Sequence, residues 1–526
     1  MSLSTDAAPG ATPNPATPRT ATPPAPFTLD ALRLATVAAG LGILAAFALI
    51  WRPVGLNAAV LTLAGIVALL ALAALERVRP ALRGVWLVAP LIFFSLAVAW
   101  RANPLIQFLN VAATCALTVL LAKVFTRPDL FTQGVGGYLS LALGGLVEGG
   151  LLQPGEALVA ATRQSSTQSR SPWVWAVARG LFLATPIVLV LTALLTVADL
   201  AFSQSVRDLL RALGLDDLGL VTARVVFAVG AGWTVLGLLT LALRQSAAPS
   251  EIGKAHTWPV LGFTEVAVIL VSVNALFLAF GLFQARYLFG GEANITTTGF
   301  TYADYARRGF GELVLVALIV LVLGLALQRL ARLTGAFASI GFKALTVLLV
   351  LQTGVLLASA FTRMRLYDEA YGFTELRVLT QVFMIWLAGL LVAYAVTVLL
   401  DRPRLIALGA LLAAMGFVAT LDVFNLDGLI ARENIARDLI QTVTTDEPDR
   451  RYDGDLDYIY VLSLSDDAVP ELLPLLTHTD PEVRAAAEAV LNDRRVALEA
   501  IWEKDGLWSW SWARQTALQA LSETKQ

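Results

Sequence analysis

Apolar runs of roughly 17 to 25 residues recur between residues 33 and 421 with few charges inside them, and this repetition constrains the fold more than any other feature. A helix rises about 1.5 Å per residue, so each run matches the roughly 30 Å of hydrocarbon in a bilayer. We read eleven such runs: 33–51, 55–75, 84–100, 104–125, 180–202, 220–243, 263–284, 311–328, 339–361, 378–400 and 404–421. Peptide groups in lipid find no water, so a span must satisfy them as a helix or as part of a closed barrel. Barrel strands alternate apolar and polar residues, and these runs do not. The expected fold class is therefore all-α, a polytopic transmembrane helix bundle of about 11 spans with a small C-terminal helical soluble module.

Three parts are expected. Residues 1–32 form a Pro/Thr/Ala-rich tail with too little bulky apolar surface to fold, so disorder is predicted there. The tail lacks the basic start, short apolar core and following cleavage site of a secretory signal, so we expect it to be retained. Residues 33–424 form the membrane domain and 425–526 an acidic helical module. The overall charge of −2 hides a balance of −10 in 425–526.

Lys and Arg in short connections are retained on the cytoplasmic side. With the N-terminus cytoplasmic, the inner connections hold fifteen bases and the outer ones ten, Arg52, Arg101 and Arg377 among them. An odd span count then puts the module outside. The segment 138–152 is short, glycine-rich and interrupted by Glu148, so it is read as re-entrant or surface-lying; if it crosses, the module moves to the cytoplasm. Trp173 and Trp175 are expected at headgroup level, and Val206, Leu209, Leu210 and Leu213 on a short surface helix.

The densest polar stretch, RMRLYDEAYGFTELR from Arg363 to Arg377, lies between two strongly apolar runs. It holds three bases (Arg363, Arg365, Arg377) and three acids (Asp368, Glu369, Glu375), with Tyr367 and Tyr371 between them. Helical spacing puts Arg365 near Glu369 and Tyr367 near Tyr371. Two readings stay open: an internally paired helix end that locks two spans together, and a substrate or ion site. A second stretch on the same expected face, TYADYARRGFGEL, adds Tyr302, Tyr305, Arg307, Arg308 and Glu312. The two stretches either brace the helix ends or cover a shared cavity.

One cysteine, Cys115, and two histidines, His256 and His478, exclude a disulfide framework and the usual zinc sites. The acidic run from Asp446 to Asp457 fails as a calcium loop, because Tyr458 and Leu464 stand where Gly and Glu are needed. No metal or other cofactor is expected. Nucleic acid is not expected as a partner, since no basic tract is present. In the C-terminal module, Asp480, Pro481 and Glu482 mark a helix start. The helices around them resemble one helical-repeat unit, which must pack on its neighbours or on the membrane domain. Trp502, Trp508, Trp510 and Trp512 are expected to anchor that module to its own core or to the bilayer.

The strings YADYARRGFGEL, RMRLYDEAYGFTELR, NLDGLIARENIAR, DLDYIYVLSLSDDAVPELL and WSWSWAR resemble a bacterial family of multi-pass membrane proteins, domain of unknown function 4173, akin to 4153. The likeness covers about residues 180–515. It implies a bacterial inner-membrane location and no activity. Function is then open among three classes: a transporter or channel-like protein, taken first; a membrane sensor or scaffold presenting residues 425–526 to a protein partner; and a lipid or sugar transferase. The transferase is disfavoured because the first outer connection, WRPVGLNAA, has no acid. The bilayer is the one partner common to all three.

Overall fold

The computed structural model describes residues 29–126, 153–157, 160, 204, 218–244, 261–288, 310–444 and 457–524. Helices joined by turns build them, with no strand among the described residues. The membrane helices are α1 (Ala31–Leu49), α2 (Leu56–Leu75), the single turn α3 (Leu82–Val85), α4 (Val88–Trp100), α5 (Pro104–Val124), α6 (Leu218–Leu243), α7 (Phe263–Leu288), α8 (Phe310–Leu330), α9 (Ala336–Tyr371), α10 (Glu375–Leu399) and α11 (Leu405–Phe424). After them come α12 (Leu426–Thr444), α13 (Tyr458–Ser463), α14 (Val469–Leu472), α15 (Pro481–Asp505) and α16 (Trp512–Glu523).

Nine of the described helices are long and apolar enough to cross a membrane. The expected span 84–100 is instead broken, with α3 ending at Val85 and α4 running 13 residues. Pro90 accounts for this: it lacks an N–H and crowds the carbonyl four residues back, so it is tolerated only in the first turn of a helix. The expected span 180–202, the segment 138–152, the surface helix around 206–213 and Trp173 and Trp175 lie outside the described residues. Helix α9 exceeds its expected span of 339–361, because its 36 residues carry the polar stretch as about two and a half further turns beyond the apolar window. Gly372, at φ 78°, ends it.

Two apolar cores run through the bundle. The first joins α1, α2, α4, α5 and α6 through residues such as Leu34, Leu72, Phe94 and Leu120. The second joins α7 to α10 through Leu270, Val320, Leu349 and Tyr394. Helix α11 bridges them, with Val418 in the first and Ile406 in the second. Small residues allow the closest approach: a Cβ on Gly42 of α1 would lie 2.3 Å from the Ala228 carbonyl oxygen of α6, the backbone proximity that substitutes for hydrophobic drive between helices in lipid.

A third core belongs to both the bundle and the C-terminal helices. Ile106 of α5, Val378 of α10 and Leu421 of α11 pack with Ile430, Val469, Leu475 and Leu491. Arg33 pairs with Glu76 at 3.1 Å where α1 starts and α2 ends. At the opposite end, the Leu56 amide donates to the Trp510 carbonyl at 2.9 Å and Arg52 pairs with Asp505 at 3.3 Å. The C-terminal helices therefore cap the face that carries the α1–α2, α4–α5 and α9–α10 turns.

Candidate functional site: a buried polar seam

The seam is built from the turn between α4 and α5. Asn103 is the N-cap of α5, its Oδ1 accepting the amides of Leu105 at 2.9 Å and Ile106 at 3.1 Å, with Pro104 at the first helical position. Capping occupies the oxygen and leaves the nitrogen free to donate. Nδ2 of Asn103 reaches Glu375 Oε1 at 2.8 Å and Asp427 Oδ1 at 2.9 Å.

Arg101, from the same turn, is buried. Its Nε donates to the Asp422 carbonyl at 2.6 Å and its Nη2 to the Val423 carbonyl at 3.3 Å, which places a cation on the carbonyl end of α11. Its Nη1 lies 3.4 Å from Asp467 Oδ1. The other oxygen of Asp467 accepts the amides of Ala102 at 2.6 Å and Asn103 at 2.9 Å. One carboxylate therefore holds three donors of the α4–α5 turn.

Asn425 makes the corner that brings Asp427 to the seam. It adopts a left-handed conformation, φ 44°, between α11 and α12, and its amide donates to the Asp467 carbonyl at 3.1 Å. Asp427 also accepts the Ser465 amide at 3.1 Å. Deeper in the bundle, Asn110 of α5 donates to Asp422 Oδ1 of α11 at 2.7 Å, both side chains fully buried.

Burial pushes the Asp467 carboxyl above its ordinary value, and the Ala102 amide and Arg101 pull it back. Burial likewise raises Asp466, against the nearby Arg494 and Arg514. The Tyr460 hydroxyl, which accepts the Glu375 amide at 2.9 Å, is raised by burial as well. Beside the seam opens a cleft of about 560 Å³ lined by Asn103, Leu105, Glu375, Tyr460, Ser465 and Arg494 among others. A second cavity, of about 470 Å³ and almost wholly apolar, lies between α1, α2, α5 and α6 beside Cys115. Among the described residues, no group of three or more His, Cys, Asp or Glu side chains is arranged to hold a metal.

The structure brings one part of the sequence-derived cluster together. Arg363, Arg365, Tyr367, Asp368, Glu369 and Tyr371 lie on the last turns of α9, and Glu375 and Arg377 start α10. The rings of Tyr367 and Tyr371 are 5.0 Å apart, and the Arg377 guanidinium sits 4.1 Å over Tyr367 while donating to the Gly372 carbonyl. Asp368 accepts from the Gln381 amide, and its carbonyl accepts from Arg437 at 3.3 Å. The Glu375 carboxylate accepts from Asn103 of the α4–α5 turn, which ties this stretch to the seam. Glu312 begins α8, whereas Tyr302, Tyr305, Arg307 and Arg308 lie outside the described residues.

Asn103, Asn110, Asp422, Asp427 and Asp467 were not among the candidates, and Arg101 counted only as an outer base. The signal that could have found them was faint: an Asn-Pro helix start at 103 and isolated polar residues within about two turns of span ends.

No curated protein and no solved structure matches this chain. The sequence model of one family, Domain of unknown function (DUF4153), matches residues 88–475. That range begins well before the likeness read from the motifs and ends before α15, and it contains every seam residue from Arg101 to Asp467. Since the match covers well over half of the chain, this protein belongs to the DUF4153 family.

Proposed function

We propose that this integral membrane protein is a sensor or scaffold, whose helical bundle holds the C-terminal helices as a fixed platform for a protein partner. The observation that carries this reading is the seam: one carboxylate, Asp467, gathers Arg101 and two backbone amides from a turn more than 360 positions away. A buried network of that kind immobilises the platform on the bundle. Where the polar groups lie also favours it, because they concentrate at the end of the bundle and the large cavity between the spans is apolar.

The finer assignments belong to the same proposal. The Lys and Arg bias supports a cytoplasmic N-terminus. The C-terminal helices pack on the turns assigned outside, Arg52 and Arg101 included, which supports an extracytoplasmic platform. The wording of the motifs supports a bacterial inner-membrane location and a place near family 4173.

Photo-crosslinking residues introduced at exposed positions of α15, such as Glu488, test the reading in cells. A discrete partner adduct that disappears when Asp467→Ala loosens the platform is expected. Absence of any adduct along α15 counts against it.

A transporter is the second reading, favoured by the cleft beside Glu375 and by the buried Asp422–Asn110 pair inside the spans. Proteoliposomes loaded with a pH-sensitive dye separate the two. The scaffold reading expects no proton movement beyond that of protein-free vesicles, and movement abolished by Asp422→Asn would favour transport.

A further inference from the structure

The turn between α15 and α16 exposes apolar surface at an unusual place. Leu507 is 67% exposed and Trp512 58%, with Trp508 partly exposed beside them. Residues 425–526 otherwise carry a net charge of −10, so an apolar patch there calls for an explanation other than general composition.

Its position supplies one. The Trp510 carbonyl takes the Leu56 amide at 2.9 Å, and a Cβ on Gly55 would lie 2.5 Å from that same oxygen. Arg52 pairs with Asp505 and stands 5.7 Å from the Trp508 ring. The turn is thus fixed to the α1–α2 connection, between a span that ends at Leu49 and one that starts at Leu56. That is the level of the lipid headgroups. The α1–α2 pair is also at the rim of the bundle, since Ile43, Phe47, Val67 and Leu70 all face outward. Trp51, at the end of α1, is exposed at the same level.

We propose that Leu507, Trp508 and Trp512 form a membrane-interface contact that seats the C-terminal helices in the headgroup layer. Indole rings suit that layer because they carry an apolar body and one N–H donor. The partner is a zwitterionic lipid surface: the helices that flank the turn are close to charge-balanced, α15 with six acids against four bases and α16 with one of each, so apolar and indole contact is what the patch offers. The contact is continuous with the lipid-facing rim of α1 and α2. It does not depend on the functional reading above.

Spin labels test this on the full chain in phosphatidylcholine nanodiscs. In a Cys115→Ala background, single labels go on Leu507→Cys and Trp512→Cys, with Val67→Cys as the lipid-facing reference and Glu488→Cys as the aqueous one. The expected result is that the ratio of oxygen relaxation to relaxation by a water-soluble nickel chelate at 507 and 512 falls between that at 67, in the middle of α2, and that at 488. A ratio matching that at 488 overturns the proposal, since the patch then faces water. Protection from both relaxers also overturns it, because protein then covers the patch. Thermal unfolding like that of the Cys115→Ala parent shows that each labelled protein is folded.

Discussion

Arg101 and Asp467 are 366 positions apart, yet Nη1 of the first lies 3.4 Å from Oδ1 of the second with both side chains nearly shut off from solvent. Removing one partner of a buried pair strands the other charge, which costs about 3–5 kcal/mol. Asp467→Ala also deprives the Ala102 and Asn103 amides of their acceptor. We expect it to lower the unfolding temperature in detergent markedly. Arg101→Met combined with Asp467→Ala should cost less than the sum of the two single changes, because each single change strands a buried charge and the double one does not. Strictly additive costs would contradict the pairing.

Acid should favour the folded form of the C-terminal helices. Burial raises the carboxyls of both Asp466 and Asp467 above the ordinary value of about 4. A group raised in the folded state binds protons more readily there than when unfolded. Its stabilising contribution is therefore complete below the ordinary carboxylate value and is lost as pH rises through the raised one. Arg101, Arg494 and Arg514 oppose the shift without cancelling it. Melting curves as the pH falls from neutral toward the ordinary carboxylate value should show a gain on acidification that shrinks in Asp466→Asn/Asp467→Asn.

Two glycines of α1 should respond in opposite ways. At Gly42 a methyl group would lie 2.3 Å from the Ala228 carbonyl of α6 and 2.7 Å from the Gly232 nitrogen. Forcing α1 and α6 apart costs about 1–3 kcal/mol or more, so Gly42→Ala should destabilise. Gly40 has no neighbour within 4 Å of such a methyl. Gly40→Ala should leave stability unchanged or raise it by up to about 1 kcal/mol through helix propensity. Thermal unfolding of the two variants side by side gives the comparison.

Asn434 clamps the α9–α10 turn. Its Oδ1 accepts the Phe373 amide at 2.7 Å and its Nδ2 donates to the Phe373 carbonyl at 2.9 Å. Asn434→Ala leaves two partly buried backbone groups without this partner, at a cost of about 1–3 kcal/mol. Gly372→Ala should be damaging as well, since φ is 78° and the new methyl would lie 2.7 Å from Asn434 Oδ1. Hydrogen exchange at the start of α10 should accelerate in both variants and stay unchanged in α1.

The spans were legible because lipid imposes length and composition together. Residues 55–75 were expected and 56–75 are found. Helix α9 outruns its apolar window, because the window stops at the first charges whereas a helix leaving the bilayer continues through them. The α3–α4 break was written in Pro90 but hidden under the hydropathy of its neighbours. The seam was illegible for a different reason. Its hydrogen bonds join Asn103 to residues 272 and 324 positions away, and one sequence holds no record of which distant polar groups meet. Charge density drew attention to Arg363–Arg377, while the seam recruits single residues from several span ends.

The Arg101–Asp467 seam joins the C-terminal helices and the bundle into one body, and hydrogen exchange of the intact protein in nanodiscs reads that union. The amides of Val469, Glu471 and Leu472 in α14 should exchange as slowly as those in the middle of α5, and Asp467→Ala should speed them while α9 stays protected. Rapid exchange of α14 in the unaltered protein, or an α14 rate indifferent to Asp467→Ala, would contradict it.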